Sequence, residues 1–599
     1  MSGESKKSGC MRVVLCGDEM RVTRYNTTLR YRSTGGWHCR MPSNAGRPAQ
    51  QECFMDAFGR KTVWWWGFLG CVLLLGVYAP LRGRAAPFSR GAARPQGVAL
   101  AEGVYFQQFH LDIDGRPVNF FVVRMQRGRP DLAVDTVIAD GALAHGRESV
   151  PQMVQRSEMS LSTWGEPPWG RNHVLAAING YYFDLQSGTP WRGQVQSGWY
   201  VQRFDDVESG SGFAWKRDGT PFIGGCLYHP AGRQTVTFMD NGTVLRFQGV
   251  NRPRGKDELV LYTAQYDVDT GTAANGLEVL VELDAPLGIA PQGSKEMVRG
   301  VVREVRDKAG STPIPFGYVV LSAQGKARRA LLKQVEVGER VGIHQEIAHF
   351  ESDCQTPSPY DWGETYAALG GDYVLLRDGR LPHITRPEAL QRNARTAIAY
   401  NASFVFFVVA DGWNPGVSEG VTTEQLATFL RDVLGATDAI TEDSGGSATL
   451  WVNGRIVNNT YCNFTHDCGP DGEPGSDGKY PRLQPLVGNA VVMVQVLPGE
   501  QSFTFVRGER VTTRQPAALY QGPGDTFAQM SRLRAGQRGV ILPTRLHLGG
   551  IRAAGAYWWR VRFGEAEGWV REDMLLGGAS PAWGPVSGTA TGAEGVFFR

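Results

Sequence analysis

Short apolar runs separated by glycine, proline and aspartate dominate the chain from residue 98 onwards. Examples are VNFFVVRM at 118–125, GYVVLSAQG at 317–325 and SFVFFVVA at 403–410. Runs of this kind, rich in β-branched and aromatic residues and bounded by turn residues, are typical of β-strands. The pattern predicts an α+β fold class, with a strand-rich, mixed-sheet domain that contains few helices.

One segment has helical rather than strand periodicity. In residues 422–435, TTEQLATFLRDVLG, Thr422 and Gln425 have the spacing of a capping box, and Gly435 follows the last apolar position. One face carries the apolar side chains Leu426, Phe429, Leu430 and Val433. The pattern predicts a helix that follows the strand at 403–410 and leads towards Asp443.

The composition indicates a globular protein with more than one domain. The chain has 599 residues, too many for a single core of ordinary size. Its 76 glycines and 33 prolines favour many turns and short strands. The net charge of +3 gives no basic face for nucleic acid, so nucleic-acid binding is set aside.

An uncharged apolar run at 63–79, VWWWGFLGCVLLLGVYA, lies between basic residues. Its length suits a membrane-spanning helix or the core of a signal peptide. If translation starts at Met55, a small-residue cleavage site follows at Ala85, and the residues before Met55 are no part of the protein. Each interpretation exports residues 86–599, either secreted or membrane-anchored on the extracytoplasmic side. We therefore predict an N-terminal region at 1–61, a signal or transmembrane segment at 62–81 and a linker at 82–97.

Four of the nine cysteines lie beyond the apolar run: Cys226, Cys354, Cys462 and Cys468. Cys462 and Cys468 flank the loop NFTHD, and in an oxidising compartment this spacing predicts a local disulfide. A metal site that includes His466 would offer three ligands where a structural zinc takes four, so the disulfide is preferred. We expect no metal and no cofactor.

The composition changes after the strand that ends near residue 497. Residues 503–577 contain LYQGPGDT, YWWRVRF and EGWVREDML, separated by turn signals at the spacing of a small barrel. This pattern resembles the bacterial SH3-like module. We predict a separate, small all-β SH3-like domain at 503–577, followed by a tail at 578–599.

Two catalytic motifs are present only in part. GVSEG at 416–420 matches a nucleophile elbow, but the elbow needs its serine at a sharp strand-to-helix turn, and DGWNP separates Ser418 from its strand. HQEIAH at 344–349 lacks the spacing that places two imidazoles on one helical face. Neither motif is retained as a site.

Five further motifs each place a polar residue beside glycine or a small side chain at a strand end. They are AINGYYFD (177–184), ALGGDYVLLRDG (368–379), ARTAIAY (394–400), VVADGW (408–413) and TEDSGGSATLWVNG (441–454). As an ordered set they closely resemble the phosphodiester glycosidase family, and the resemblance covers a predicted domain at 98–497. The chain departs from the family at Ser444, where a glycine is usual, and at Asp372 and Tyr373, where Gly-Pro is usual.

The resemblance implies an exported glycoside hydrolase that cleaves a sugar 1-phosphodiester at the anomeric carbon and releases free sugar and a phosphomonoester. A guanidinium that bonds two phosphate oxygens suits the leaving group, and Arg395 is the candidate. Carboxylates must stabilise the oxocarbenium-like centre and activate water or attack as nucleophile. Asp443 is the first candidate, with Asp411 and Asp184 as partners. The candidates for substrate binding are Asn179, Gly180, Thr396, Gly445, Gly446 and Ser447.

Two other functions stay open. A non-catalytic protein that binds glycans or the cell wall would account for the SH3-like region and for Ser444. A phosphodiesterase that breaks the P–O bond would use the same arginine but normally a metal pair, and no His/Asp cluster with metal spacing is present in the sequence. The expected partners are a glycan or sugar phosphodiester, cell-envelope material through 503–577, and a membrane through 62–81.

Overall fold

The structure is a computed structural model that describes residues 97–578 and three strands closer to the N-terminus. Within 97–578 the description omits 144–145, 166, 168, 205–210, 351–354, 357, 359, 385 and 462–483. The segment 62–81, nearly all of 82–97 and of the tail, and the cysteines Cys462 and Cys468 lie outside the described residues. The predictions made for them therefore stay predictions.

The chain forms two compact units, residues 1–81 and residues 82–599. The first contains a three-stranded antiparallel sheet made of Arg12–Cys16, Glu19–Arg24 and Thr27–Arg32. All other elements belong to the second. In the described part of the chain, no helix has both the length and the apolar character needed to cross a membrane.

Sheet A is a seven-stranded antiparallel sheet of the second unit. Its strands, in spatial order, are Val374–Leu376, Asp438–Ser444, Arg395–Tyr400, Phe404–Ala410, Pro117–Gln126, Val104–Asp112 and Val98–Ala101. Phe121 and Val123 belong to one hydrophobic core, whereas Phe120 and Val122 belong to another. Because side chains alternate between the two faces of a strand, burial of both faces explains the unbroken apolar run VNFFVVRM.

The predicted helix is present as Thr423–Asp432 and packs on sheet A. Thr422 and Gln425 form a reciprocal capping box, in which the Gln425 N–H donates to the Thr422 hydroxyl at 3.1 Å. The ring of Phe429 stacks on Phe120 with a centroid distance of 3.8 Å. These contacts fix the chain segment that enters the helix beside the candidate site.

Two smaller sheets complete the core. Sheet B has the order Arg455–Ile456, Leu450–Val452, Gly170–Asn179, Asn489–Leu497 and Leu132–Ile138, with Leu161–Ser162 paired to Gly170–Asn179. Sheet C has the order Trp199–Gln202, Gln194–Gln196, Thr365–Gly371, Ser211–Lys216 and Pro221–Gly224. Residues of sheets A, B and C share one hydrophobic core. The prediction of a strand-rich fold with few helices is confirmed.

An insertion that the sequence analysis did not separate lies between two strands of sheet C. It forms sheet D, with the order Val244–Arg246, Gln234–Phe238, Arg340–Gln345, Val298–Ala309, Gly276–Leu283, Tyr318–Ala323, Leu259–Thr263 and Gly249–Val250. Val236 and Leu261 of sheet D lie in the same hydrophobic cluster as Phe222 of sheet C. The insertion is thus packed on the core.

The C-terminal region forms an eight-stranded antiparallel sheet, sheet E. Its order is Gln529–Leu533, Ala517–Tyr520, Ala566–Arg571, Ala556–Phe563, Arg538–Ile541, Arg510–Thr513 and Leu575–Gly577, with Ile551–Ala553 paired to Ala556–Phe563. Trp558 and Trp569 of this sheet are buried in the cluster that also contains sheet D. Sheet E therefore shares a core with the insertion, and its SH3-like character stays a prediction.

The described residues contain four α-helices: Val150–Ser157, Gly325–Leu332, Pro387–Leu390 and Thr423–Asp432. Short 3-10 turns lie at Ala139–Gly141, Ala231–Arg233 and Glu572–Met574. Two-stranded pairs join Leu227–Tyr228 to Ala348–His349 and Glu148–Ser149 to Leu486–Val487. The short helix Pro387–Leu390 lies next to the candidate site.

Arg560 connects sheets D and E through a buried polar contact. It is 5% exposed and donates to Glu282 of sheet D and to Glu567 of its own sheet, each at 2.8 Å. Its guanidinium lies 4.6 Å from the ring centroid of Tyr318, also in sheet D. Glu282 also accepts from Arg303 at 2.8 Å, and Glu567 pairs with Arg562 at 3.0 Å, so Arg560 is the buried member of a network of two carboxylates and three arginines.

We expect Arg560→Ala to lower the free energy of unfolding by about 1.5–3 kcal/mol, because Glu282 then loses its buried donor and keeps only the half-exposed Arg303 as a cation. Arg562→Ala is the matched control: its side chain lies on the same strand and is 57% exposed. Its exposed pair with Glu567 contributes under about 1 kcal/mol. Chemical denaturation of both variants measures the difference, and equal losses would contradict a buried junction between the sheets.

Candidate active site

A cleft of about 210 Å³ lies where the strands Arg395–Tyr400 and Asp438–Ser444 meet at one end of sheet A. Tyr182, Asp372, Arg395, Trp413, Gly445 and Gly446 are among the residues that line it. Each of the five sequence motifs contributes at least one of them. The volume is below the ~300–1,000 Å³ of sites for drug-sized molecules, so the cleft suits a compact polar ligand.

Arg395 is a buried arginine that backbone carbonyls hold in place. It is 3% exposed; its Nε donates to the Val421 carbonyl at 2.9 Å, and its Nη2 to the carbonyls of Glu388 at 3.2 Å and Gln391 at 2.9 Å. Among the described residues it forms no ion pair with a carboxylate, and its Nη1 has no hydrogen-bond partner. Burial lowers the pKa of the guanidinium. Since a buried cation needs a counter-charge, the cleft is suited to an anion.

A β-bulge brings two acidic residues to the end of the neighbouring strand. Arg395 pairs with Ser444, and Ala397 pairs with Thr441. The strand Asp438–Ser444 therefore advances by three residues where the strand Arg395–Tyr400 advances by two. The extra residue lies within Glu442–Asp443, where both side chains are buried. Consecutive residues of a regular strand point to opposite faces, and a bulge changes the direction of side chains locally.

Asp443 has a carboxyl group that titrates near neutral pH. Burial raises its pKa to about 7, repulsion from Asp372 acts in the same direction, and hydrogen bonds from Ser447 and Ser444 oppose both. The Ser444 N–H donates to Oδ1 and the Ser447 hydroxyl to Oδ2, each at 2.7 Å. A group with such a pKa can give and accept protons at neutral pH. The same two hydrogen bonds also cap the turn that follows.

Glu442 and Asp372 complete a carboxyl cluster that the sequence analysis missed. Neither oxygen of Glu442 has a hydrogen-bond partner among the described residues, and burial, followed by repulsion from Asp372 and Asp443, raises its pKa well above 4.5. Asp372 lines the cleft, and burial raises its pKa although Arg386 and Arg192 act against the rise. Two features of the sequence could have indicated this cluster. Glu442 is an acid inside an apolar strand, and Asp372 stands where the family usually begins a Gly-Pro pair.

Asn179, Thr396 and Gly180 hold the strands behind the cleft. The Oδ1 atom of Asn179 accepts from the Thr396 hydroxyl at 2.8 Å and from the Thr449 N–H at 2.9 Å. The Gly180 N–H donates to the Asn489 carbonyl at 2.9 Å, and a Cβ on Gly180 would lie 2.1 Å from Oδ1 of Asn489. The structure thus places these three predicted binding residues as positioning residues rather than in the cleft lining.

Gly445 and Gly446 line the cleft, as their prediction as binding residues requires. Gly445 has a φ of +94° and donates its N–H to the Ala394 carbonyl at 2.9 Å. A Cβ on Gly446 would lie 2.3 Å from the Tyr461 carbonyl oxygen. Backbone conformation at the first position and space at the second therefore require glycine. Ser447 does not line the cleft, since its hydroxyl is bonded to the neighbouring carboxylate.

Asp411 and Asp184 lie in loops of their own, and the structure does not bring them to the cleft. Asp411 is fully buried, and the Asn459 N–H donates to its two oxygens at 3.1 Å. Asp184 is exposed and accepts from the N–H groups of Ser187 at 2.8 Å and Gln186 at 3.0 Å. These hydrogen bonds, chiefly that from Ser187, lower its pKa. Both carboxylates stabilise local turns.

In the described ranges, no group of three or more His, Cys, Asp and Glu side chains is arranged to hold a metal ion. Cys226 is disulfide-bonded.

Ser418 is fully buried, donating its hydroxyl to the Asp411 carbonyl at 2.8 Å and accepting from the Asn119 N–H at 3.0 Å. A buried hydroxyl engaged in two hydrogen bonds is not available as a nucleophile, in agreement with the sequence-based prediction that GVSEG is not a nucleophile elbow.

The fold and cleft define a strand-rich α+β protein with one arginine and three carboxyl groups gathered at strand ends. Residues 294–467 match the family model described as phosphodiester glycosidase. The match spans the insertion's later strands and four of the five motifs. No curated protein matches this chain.

Three solved structures show partial similarity. A hypothetical protein from Synechocystis has 16% identity and a TM-score of 0.44, covering 68% of this chain and 64% of its own. A putative exported protein from Burkholderia pseudomallei has 19% identity and a TM-score of 0.38, covering 64% and 74%. The catalytic domain of zebrafish N-acetylglucosamine-1-phosphodiester alpha-N-acetylglucosaminidase, auto-inhibited by its pro-peptide, has 13% identity and a TM-score of 0.30, covering 67% and 86%. The chain thus spans 64% of the length of the Synechocystis protein.

We expect Glu442→Gln to stabilise the protein in alkali and not in acid. The folded-state pKa of Glu442 lies well above 4.5, so the folded protein retains a proton that the unfolded chain releases. Stability is therefore lost as the pH rises from the unfolded-state pKa through the folded-state pKa. Glutamine has no such proton, so the variant should melt higher than wild type at about pH 8 and equally at about pH 4.

Glu336→Gln, at an exposed position, is the control for the loss of a carboxyl group. Its melting temperature should follow that of wild type across the pH range. A Glu442→Gln variant that also follows wild type would show that Glu442 is not a strained, buried acid.

Proposed function

We propose that residues 98–497 hydrolyse a sugar 1-phosphodiester at the anomeric carbon. The five ordered motifs, the family match of residues 294–467 and the cleft that all five motifs line support the proposal. The observation that carries it is Arg395, a buried guanidinium that three carbonyls hold while Nη1 lacks a partner among the described residues. A bound phosphate supplies the missing counter-charge.

Arg395 acts on the leaving group. As the bond from the anomeric carbon to oxygen breaks, the departing phosphomonoester gains negative charge. A cation already fixed in place stabilises that charge without reorganising during the reaction. Because phosphate is a good leaving group, this stabilisation matters more than protonation of the oxygen.

The carboxyl cluster acts on the sugar. The anomeric carbon becomes oxocarbenium-like, and one ionised carboxylate stabilises it while another takes a proton from the attacking water. Asp443, with a pKa of about 7, and Asp372, in the cleft lining, supply these two roles. The water oxygen remains on the sugar, and the former bridging oxygen remains on the phosphate. Asp411 and Asp184 keep the adjoining loops in shape.

The proposed site of action is outside the cytoplasm. The apolar segment 62–81 anchors residues 86–599 or is removed as a signal, and the disulfide at Cys226 agrees with an oxidising compartment. We also propose that residues 503–577 are an SH3-like module that contacts cell-envelope material. Its contact with sheet D leaves only the faces away from that sheet for a partner.

Binding of a glycan without catalysis is the second candidate function. The observation that favours it is the pair of hydrogen bonds by which Ser444 and Ser447 occupy both oxygens of Asp443. In that case the carboxylate of Asp443 only stabilises the turn that follows it and takes no part in a reaction. The two candidates differ in whether product forms.

Incubation of the full chain with a sugar 1-phosphodiester in oxygen-18 water tests the proposed reaction. We expect the label in the free sugar, because water attacks the anomeric carbon. Label in the phosphomonoester would show P–O cleavage and a phosphodiesterase. Binding of the substrate without product would favour the glycan-binding protein.

Asp443→Asn should lower kcat by about a hundredfold or more, because it removes the charge while keeping the shape of the turn. In wild type, activity should rise with pH through about 7, the pKa of Asp443. Asp184→Asn, which also changes a turn-capping aspartate, is the control and should keep wild-type turnover. Near-normal turnover of Asp443→Asn would remove this carboxylate from the reaction.

Arg395→Lys should impair phosphodiesters more than aryl glycosides that lack phosphate, because a point charge cannot replace a guanidinium fork. We expect a loss of about a hundredfold or more on the phosphodiester. Arg392→Lys, a partly exposed arginine three positions earlier, is the control. Kinetics on both substrate types measure the effect, and equal losses on the two would contradict a phosphate-binding role.

A further inference from the structure

Trp413 has a backbone conformation that is unusual for a bulky residue. Its φ is +58°, in the left-handed region that glycine adopts easily and tryptophan rarely. The residue lines the cleft, yet it is 43% exposed. Strained conformations of this kind persist where the surrounding structure imposes them, and they concentrate at functional sites.

Close backbone packing fixes the position of Trp413 in the cleft lining. A Cβ on Gly412 would lie 2.4 Å from the backbone nitrogen of Ala394, so the chain before Trp413 presses directly against the residue that precedes Arg395. On the other side, a Cβ on Gly445 would lie 3.2 Å from the indole of Trp413. The two glycines thus fix the position of a flat ring in the same cleft that Arg395 lines.

The ring and the guanidinium together select for a particular kind of ligand. The guanidinium accepts an anion, and an exposed indole face gains contact energy from an apolar, flat surface placed on it. A pyranose 1-phosphate offers both, since its ring carries a face of C–H groups directly attached to the phosphate. A phosphate ester of a short flexible alcohol offers the anion without the face.

We propose that Trp413 is the platform for the sugar ring, so that this cleft takes pyranose 1-phosphates and their diesters in preference to phosphates without a ring. The assignment deepens the proposed function and rests on it for the reaction, but it concerns binding. Trp413 is thereby a specificity-determining residue.

Isothermal titration of the full chain with glucose 1-phosphate, glycerol 3-phosphate and inorganic phosphate tests the platform. We expect wild type to bind glucose 1-phosphate more tightly than the other two. Trp413→Leu should lose about tenfold in affinity for glucose 1-phosphate and keep its affinity for inorganic phosphate. Trp413→Phe, which keeps an aromatic face, should lose less.

Trp191→Leu is the matched control, because Trp191 is 58% exposed and does not contribute to the cleft lining. It should bind all three probes as wild type does. Equal loss in the two tryptophan variants, equal loss of all probes in Trp413→Leu, or no preference of wild type for glucose 1-phosphate would each overturn the proposal. Retained phosphate binding shows that the Leu variant is folded.

The outcomes separate this inference from the proposed reaction. If the oxygen-18 experiment yields no product while Trp413→Leu selectively loses glucose 1-phosphate, the platform stands and hydrolysis fails. If product forms and Trp413→Leu keeps wild-type affinity for every probe, hydrolysis stands and the platform fails.

Discussion

The buried, unpaired charge of Arg395 is the constraint on which the cleft depends. Removing a guanidinium from water costs on the order of several kcal/mol unless protein groups replace the hydrogen bonds to water and a counter-charge balances the cation. The fold compensates the hydrogen bonds with carbonyls from two segments: the short helix Pro387–Leu390 with the residue after it, and the chain that enters the helix Thr423–Asp432. No described carboxylate lies within ion-pair distance, so apart from the longer-range attraction of Asp372 the fold leaves the charge to a ligand. The capping box at Thr422 and the packing of Phe429 on sheet A therefore contribute to the site as well as to stability.

The carboxyl cluster faces the opposite electrostatic problem. Asp372, Glu442 and Asp443 are close enough that each resists ionisation of the others, and burial strengthens the effect. The β-bulge that creates this crowding also lets adjacent acids of one strand be buried together. A guanidinium without an ion-pair partner among the described residues, beside carboxyl groups that tend to hold their protons, gives the cleft a net positive charge when no ligand is bound. A bound phosphate changes that balance, so binding and protonation are linked.

Local patterns in the sequence predicted local structure well. The spacing of Thr422 and Gln425 placed the helix correctly, and the apolar run before it became a central strand of sheet A. The order of the five motifs also identified Arg395 and the two glycines that line the cleft. These features depend on residues near one another in the chain, where turn chemistry and periodicity suffice.

Features that depend on long-range pairing were not predicted. Glu442 was overlooked because the two-residue period of a strand points it away from Asp443, and only the pairing with Arg395–Tyr400 reveals the bulge. The hydrogen bonds that Asn179 accepts from Thr396 and Thr449 join segments hundreds of residues apart, so the sequence did not indicate them. The shared core of sheets D and E likewise involves residues distant in the chain, so it could not be inferred from the turn-bounded strands of 503–577.

A crystal structure of the full chain with a sugar 1-phosphate would show whether Arg395 binds the phosphate. We expect a phosphate oxygen to lie about 2.7–2.9 Å from Nη1 of Arg395, the length of a charge-assisted hydrogen bond. The three carbonyl contacts of the guanidinium should remain in place. A phosphate bound elsewhere, with Nη1 turned to a carboxylate, would contradict it.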